Sequence, residues 1–378
     1  SPEKLPELVP IALNKELAQE LFGKKIETYS DSQLSALFSG QEVIPNSEPI
    51  ALAYAGHQFG HFSAALGDGR ALLLGEAVST TDNKRYDIQL KGSGRTPYSR
   101  NGDGKSSLGP VIREYLVSEA MFHLGIPTTR SLAAFSSGEY VFREDRLPGG
   151  LFTRVASSHV RIGTFEFFAS RGDLEAVKIL ADYSIERHYP SAKTFENPYL
   201  QFLKCVAEAQ SSLVAQWMAV GFIHGVMNTD NMAISGETLD FGPCAFMDNF
   251  AFDRVYSSID RHGRYSYNNQ IPIAIWNLYR LAECLIPLLD SEPQKGQAVA
   301  QNFLEEIKEI YQQNWLDKMR PKLGLQSTEP EDESLINQWL QYLEIEDLDF
   351  TLSFRNLDPT SASSSESQLF KSFHQKWL

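Results

Sequence analysis

Cysteine is scarce in this chain and poorly placed for bridging. Cys205, Cys244 and Cys284 are three among 378 residues, widely spread and without a Cys-x-x-Cys pair. This excludes a disulfide framework and a paired-cysteine zinc site, and it reads as a reduced, intracellular chain. Positive charge is also short. The 34 Lys and Arg residues stand against 48 Asp and Glu, a net charge of −14. Nonspecific nucleic-acid binding relies on basic surface, so no nucleic-acid partner is expected. The same balance disfavours anionic membranes, and no run approaches the ~20 apolar residues of a membrane span. The opening Ser1-Pro2-Glu3-Lys4 has no signal-peptide pattern, although without an initiator Met a removed leader stays open. What is present is a chain 42% hydrophobic, with length for a substantial core and two lobes.

The most informative stretch is Gly225–Gly242. Asn231 and Asp240 stand nine residues apart, and Asp240 opens Asp240-Phe241-Gly242. An Asn followed by Asp-Phe-Gly after a short hairpin is how protein-kinase-like sites hold magnesium against nucleotide phosphates. Magnesium takes oxygen ligands in a near-octahedral shell, so a carboxylate and an amide carbonyl suit it. His224 lies seven residues before Asn231, the spacing of a kinase catalytic loop. One element is missing. The kinase proton acceptor belongs two residues after the His, where Val226 stands, and the nearest candidate is Asp230.

Upstream, Leu66-Gly67-Asp68-Gly69-Arg70 is a glycine turn leading into the apolar run Ala71–Leu74. Ser79–Asn83 is turn material, and Tyr86–Lys91 is a second short run, so the pattern predicts a β-hairpin ending on Lys91. Apolar residues at helical spacing predict a helix over Ser107–Leu124 carrying Glu114 and Glu119, either of which can pair with Lys91.

Four segments then make the likeness specific. Tyr54–Gly60 (Tyr-Ala-Gly-His-Gln-Phe-Gly), Gln89–Arg100, His224–Met232 and Leu239–Pro243 resemble the selenoprotein O family, over about Pro49 to Tyr267. The resemblance implies protein adenylyltransferase activity on an α/β fold of protein-kinase-like type, with a strand-rich N-lobe and a helical C-lobe. It implies nucleotide contacts from Gly67, Gly69, Arg70, Lys91, Asp103, Gly104, Arg154, Arg161 and Asp240. Mg²⁺, with Mn²⁺ as the alternative, falls to Asn231 and Asp240, the proton-accepting role to Asp230, and the orientation of Lys91 to Glu114. ATP lies reversed relative to kinases, so that its α-phosphate faces a Ser, Thr or Tyr hydroxyl of a protein substrate and pyrophosphate leaves. A buried γ-phosphate calls for charge-assisted, often bidentate donors, which guanidinium supplies. A kinase transferring the γ-phosphate and an inactive nucleotide-binding scaffold are the rival readings. A monomer is expected, cytoplasmic in a bacterium or mitochondrial in a eukaryote. Family members usually continue past the point reached here and often close with a cysteine or selenocysteine. No cysteine follows Cys284, so redox control at the C-terminus is not carried over.

Along the chain, residues 1–48 read as an N-terminal extension with a helix near Lys15–Phe22, residues 49–155 as the N-lobe, and residues 156–378 as a helical C-lobe. Leu147–Gly150 reads as a loop before a strand at Leu151–Val155. Helices are predicted at Leu174–Ser184, Tyr199–Val220, Ile271–Leu289 and Ala298–Asn314, with an acidic linker at Ser327–Ser334 and a serine run at Ser361–Ser367. His57 and His61 have zincin-like spacing, but Gln58 replaces the basic Glu, and hydrogen bonding to the glycine turn is the expected role. Gly102–Ser106 lacks the first glycine of a phosphate-binding P-loop. Glu119 reads as a solvated face, His224 as a structural hydrogen bonder and Cys244 as a small buried hydrophobe.

Overall fold

The structure, a computed structural model, describes residues 1–42, 47–357 and 368–377. The serine run at 361–367 lies outside the described residues. An N-terminal antiparallel sheet is followed by a mostly helical remainder, and the chain divides into two compact units. The first comprises residues 1–191 and 228–242, the second residues 192–227 and 243–378.

In the first unit the elements run β1 (Val9–Leu13), α1 (Lys15–Phe22), α2 (Asp31–Phe38), β2 (Gly56–Gln58), β3 (His61–Ser63), β4 (Ala71–Val78) and β5 (Arg85–Lys91). They continue with β6 (Ser106–Ser107), α3 (Leu108–His123), β7 (Arg130–Phe142), β8 (Arg146–Ala156), α4 (Ile162–Ala169) and α5 (Leu174–His188). The main sheet has the order β1-β7-β8-β5-β4, with β6 beside β8, and every pairing is antiparallel. The hairpin expected from Ala71 to Lys91 forms as β4–β5, and the predicted helix forms as α3. Leu147–Gly150 is strand rather than loop. A long β7–β8 hairpin pairs Leu147 with Val141 and Gly150 with Ser136, and these cross-strand partners override the local Pro-Gly-Gly signal.

The alternation of β5 divides the sheet between core and chemistry. Ile88 and Leu90 face α1 and α2, whose Leu17, Leu21, Leu34 and Phe38 join Phe135, Leu151 and Val155 in one core. Asp87, Gln89 and Lys91 fall on the opposite face because successive strand residues alternate. That face receives α3, with Val111 packed on Ala134 and Phe152.

The second unit begins with α6 (Pro198–Ala219) and β9 (Phe222–Ile223), which pairs with β10 (Ala245–Phe246). Helices α7 (Gln270–Leu289), α8 (Pro293–Lys322), α9 (Asp332–Ile345), α10 (Phe350–Arg355) and α11 (Gln368–Trp377) follow. The expected acidic linker is already helix from Asp332. Contrary to the sequence expectation, the segment Tyr267–Leu289 is long and apolar enough by length and composition to cross a membrane. Its Ile273, Leu278, Leu281 and Leu285 are buried side chains, as in the core helix of a water-soluble protein. Cys244 is buried, and no disulfide joins the three cysteines among the described residues. His224 is buried, stacked on Trp217 with centroids 5.2 Å apart, and its backbone N–H donates to Gln270 Oε1 at 3.0 Å.

Glu119 is not a solvated face. Its carboxylate accepts both Arg130 Nε and Nη2 at 2.9 Å, Asn14 Nδ2 at 3.0 Å and the Ser131 N–H at 2.8 Å. One side chain thereby ties α3 to β7 and to the residue that caps α1. Removing a carboxylate that satisfies a guanidinium and a backbone donor costs about 2–3 kcal/mol. Glu119→Ala is therefore expected to lower the stability of the chain by about that amount, read from the urea midpoint. A loss below ~0.5 kcal/mol, the range of neutral surface changes, would show the cluster to be decoration.

Candidate functional site

The segment 228–242 leaves its sequence neighbours and is stitched into the first unit by backbone hydrogen bonds. The Ile162 N–H donates to Met232 O at 3.0 Å and the Ile234 N–H to Val160 O at 3.0 Å. Nearer Asp240, the Thr129 N–H donates to Thr238 O at 3.0 Å and the Thr238 N–H to Pro127 O at 2.9 Å. Asp240 follows in the left-handed region, with φ of 65°, a conformation that Asp tolerates better than most residues.

Three cations converge on its carboxylate. Lys91 Nζ and Arg154 Nη1 both donate to Asp240 Oδ1 at 2.8 Å, and Arg161 Nη2 lies 3.6 Å from Oδ2. Glu114 from α3 accepts Lys91 Nζ at 2.7 Å and Arg154 Nη1 at 3.1 Å, so of the two acidic candidates on that helix it is Glu114 that meets Lys91. Gln89, directly opposite Arg154 in the β5–β8 register, accepts Arg154 Nε at 2.8 Å and donates to Asp68 Oδ2 at 2.9 Å. Arg154 and Arg161 are each 1% exposed, and Arg161 lies over the Tyr54 ring at 4.5 Å. Burial alone would raise the Asp240 carboxyl, but the charges of Lys91, Arg154 and Arg161 prevail and hold it well below the usual carboxylate range. Asp68 and Gln89 escaped the sequence reading. The available signal was the polar alternation Asp87, Gln89, Lys91 on a strand whose other face is core.

Asp230 and Asn231 lie in a single turn of 3-10 helix, Thr229–Asn231. Asp230 is 7% exposed; Gln58 Nε2 lies 3.3 Å from its Oδ2, and its Oδ1 is buried without a hydrogen-bond partner among the described residues. Burial pushes its carboxyl up to about 6, against the opposing charge of Arg161. The histidine-bearing hairpin β2–β3 packs on this turn. The His57 N–H donates to Thr229 Oγ1 at 2.7 Å and the Phe59 N–H to Asn228 Oδ1 at 3.1 Å, where sequence had placed the histidines against the glycine turn.

The remaining sequence candidates make other contacts. Arg70 is exposed, while Gly67 packs beneath Tyr98 and the Gly69 carbonyl accepts Ser99 Oγ. Asp103 is drawn to Arg143, at 2.8 and 3.0 Å, a pairing that lowers its carboxyl. Gly104 packs on the Gly94 carbonyl. Among the described residues no cluster of three His, Cys, Asp or Glu could hold a metal ion. One carboxylate and one amide nevertheless match a magnesium ion that keeps several waters and completes its shell with substrate phosphates.

A buried cationic cluster organised around a single carboxylate, beside a second carboxyl set near neutrality, is equipment for charge-neutralised group transfer from a nucleotide. Residues 2–376 match the family model described as Protein adenylyltransferase SelO. The chain is 57% identical over 366 residues to the Protein nucleotidyltransferase YdiU of Agrobacterium fabrum, covering 97% of this chain and 74% of that protein. It is 54% identical over 376 residues to the protein of the same description from Maridesulfovibrio salexigens, covering 100% of this chain and 75% of that one. The Rhizobium leguminosarum counterpart is 54% identical over 97% of this chain and 73% of its own length. The protein is a nucleotidyltransferase acting on proteins. It belongs to the SelO family of protein adenylyltransferases, for which ATP is the implied substrate.

The raised Asp230 carboxyl has a definite stability signature. Folded, it holds its proton up to about pH 6; unfolded, it releases it near 3.8. The folded state therefore binds more protons between these values, and the Asp230 contribution to stability falls as pH rises through that window. Asp230→Asn should abolish this penalty, gaining on the order of 3 kcal/mol over the parent at pH 7 and well under ~1 kcal/mol at about pH 4. Urea midpoints of both proteins at the two pH values check this, and an advantage independent of pH would refute it.

Proposed function

We propose that the convergence of Lys91, Arg154 and Arg161 on Asp240 is the triphosphate site of a two-lobed, kinase-like enzyme, with residues 49–155 in its N-lobe, and that ATP lies in it with the γ end against the two arginines. The observation that carries this is the burial of both guanidinium groups. A γ-phosphoryl group passed outward to an acceptor has no need of two fixed, fully desolvated cations, whereas a β,γ-diphosphate that gathers charge as it becomes the leaving group does.

In this reading the cluster is pre-neutralised. Lys91, Arg154 and Arg161 are balanced by Glu114, Asp68 and Asp240. Nucleotide binding transfers Lys91 and Arg154 from Asp240 Oδ1 to phosphate oxygens, which releases that oxygen. Asp240 and the Asn231 side-chain carbonyl would hold Mg²⁺, which would offset charge on the triphosphate. Glu114 keeps Lys91 in place through the exchange. Asp230, ionised at pH 7, accepts the proton of a Ser, Thr or Tyr hydroxyl as its oxygen bonds to the α-phosphorus. The bond from that phosphorus to the bridging oxygen of the β-phosphate breaks, and pyrophosphate leaves. The products are the adenylylated protein and pyrophosphate, with the proton on Asp230. A general base of this kind contributes about 10²–10⁴-fold.

The direction of ATP is tested by label. Label on the α-phosphate should enter protein, and label on the γ-phosphate should appear as pyrophosphate. Incorporation from the γ-position would make the chemistry that of a kinase despite Val226.

The roles divide by variant. Asp230→Ala should lower kcat by about 10²–10⁴-fold with ATP affinity largely kept. Lys91→Ala and Glu114→Ala should each impair turnover, and the double variant should cost less than the sum of the two, because residues in contact are non-additive. Collapse of ATP affinity with near-parental kcat in Asp230→Ala would make Asp230 a binding residue. Strict additivity of the pair would separate Glu114 from Lys91.

A further inference from the structure

Beside the transfer site lies a buried polar unit to which the chemistry above assigns no part. Glu166, on α4, is 4% exposed, and its two oxygens are used separately. Oε1 lies 2.5 Å from His57 Nδ1, and Oε2 accepts Thr229 Oγ1 at 2.5 Å. The Thr229 hydroxyl is itself the acceptor of the His57 backbone N–H, at 2.7 Å. Helix, hairpin and turn thus close into a ring of three hydrogen bonds, and the residue after Thr229 is Asp230.

Two glycines allow the ring to close so near Asp230. A Cβ on Gly56 would stand 2.5 Å from Asp230 Oδ1, and one on Gly163 would stand 2.2 Å from the Ala55 carbonyl and 3.2 Å from Asp230 Cα. The helix and the hairpin are therefore pressed against the carboxylate from two directions, with its Cα held at one end and Oδ2 reached by Gln58 at the other. A group that must meet an incoming hydroxyl within a few tenths of an ångström gains from such over-determination. A fully satisfied buried polar network has few alternative arrangements.

We propose that Glu166 is a positioning residue for adenylyl transfer, holding Thr229, and through it Asp230, in register with the acceptor hydroxyl, while His57 locks its second oxygen. Glu166 accepts from both neighbours, so His57 carries its proton on Nδ1 and the Thr229 hydroxyl hydrogen points at Glu166. The inference rests on Asp230 as the proton acceptor, and its test keeps the two claims apart.

Thr229 is the sharpest probe, because serine keeps the hydroxyl and valine keeps the shape. In the full chain, with ATP labelled on the α-phosphate, Thr229→Ser should stay within about threefold of the parental kcat. Thr229→Val should lose about 10–100-fold, the cost of a misplacement on the ångström scale. ATP affinity by calorimetry should remain within about twofold in both. Glu166→Gln should fall between them, since an amide satisfies only one neighbour as an acceptor. In an Asp230→Ala background Thr229→Val should change kcat by less than about twofold, because its effect runs through the missing carboxylate. Parental kcat in both Thr229→Val and Glu166→Gln would overturn the proposal, as would an undiminished Thr229→Val effect in the Asp230→Ala background. Parental kcat in Asp230→Ala itself would instead overturn the proton-acceptor reading, and with it this one. Should Glu166→Gln fail to fold, the Thr229 pair and the double variant decide alone.

Discussion

One carboxylate shared by three cations sets the terms for the rest of the first unit. Lys91, Arg154 and Arg161 come from a strand, its neighbour and the start of a helix, and among the described residues only Asp240 touches all three. Cations at such separations repel strongly in a medium of low polarity, and an unpaired buried charge costs several kcal/mol. The loop carrying Asp240 must therefore return to the sheet for the sheet to fold. Its bridges to Pro127, Thr129 and Val160 are the backbone counterpart of that electrostatic demand. The left-handed backbone at Asp240, mildly strained, is held because the surrounding bonds leave no alternative.

Much of this was legible in the sequence because the signals were local. The β4–β5 hairpin, the α3 helix and the order of Lys91, Glu114, Asn231 and Asp240 follow from alternation, helical spacing and motif. Long-range pairing was not legible. Leu147–Gly150 carries turn residues, yet it is strand because Val141 and Ser136 lie opposite, some ten residues earlier in the chain. Glu119 carries no mark of its partners Asn14 and Arg130, which arrive from different elements. Asp103 resembles a phosphate-loop residue in its sequence, and only folding places Arg143 within reach.

Arg154 and Arg161 show the same limit from another side. In sequence only the family resemblance marks them for the nucleotide, and no local pattern foretells their burial. The burial of Arg154 follows from register, since it stands opposite Gln89 on the face that α3 covers. Gln89 and Asp68 then satisfy what the guanidinium leaves over, and the polar face of β5 is complete. A strand whose buried face alternates Asp, Gln and Lys is poor core material. It becomes stable only because every polar atom on it finds a charged or amide partner, the condition under which a buried polar network specifies one arrangement.

Such a network constrains how its members can be interrogated. Deleting Asp240 does more than remove the proposed metal ligand: it leaves Lys91, Arg154 and Arg161 with Glu114 and Asp68 alone. Breaking a buried pair by removing one partner typically costs about 3–5 kcal/mol. An alanine there would confound lost chemistry with lost folding, whereas an asparagine keeps an acceptor for Lys91 and Arg154 while discarding the charge. Asp230 presents the opposite case. Its carboxylate is desolvated with one oxygen unpartnered, so the fold bears a cost for keeping it and is relieved when it is neutralised. One acid is indispensable to the architecture because cations surround it, and the other is retained against the architecture, as the proposed role of accepting a hydroxyl proton requires. In each case the neighbouring charges and the access of water decide what the carboxylate does.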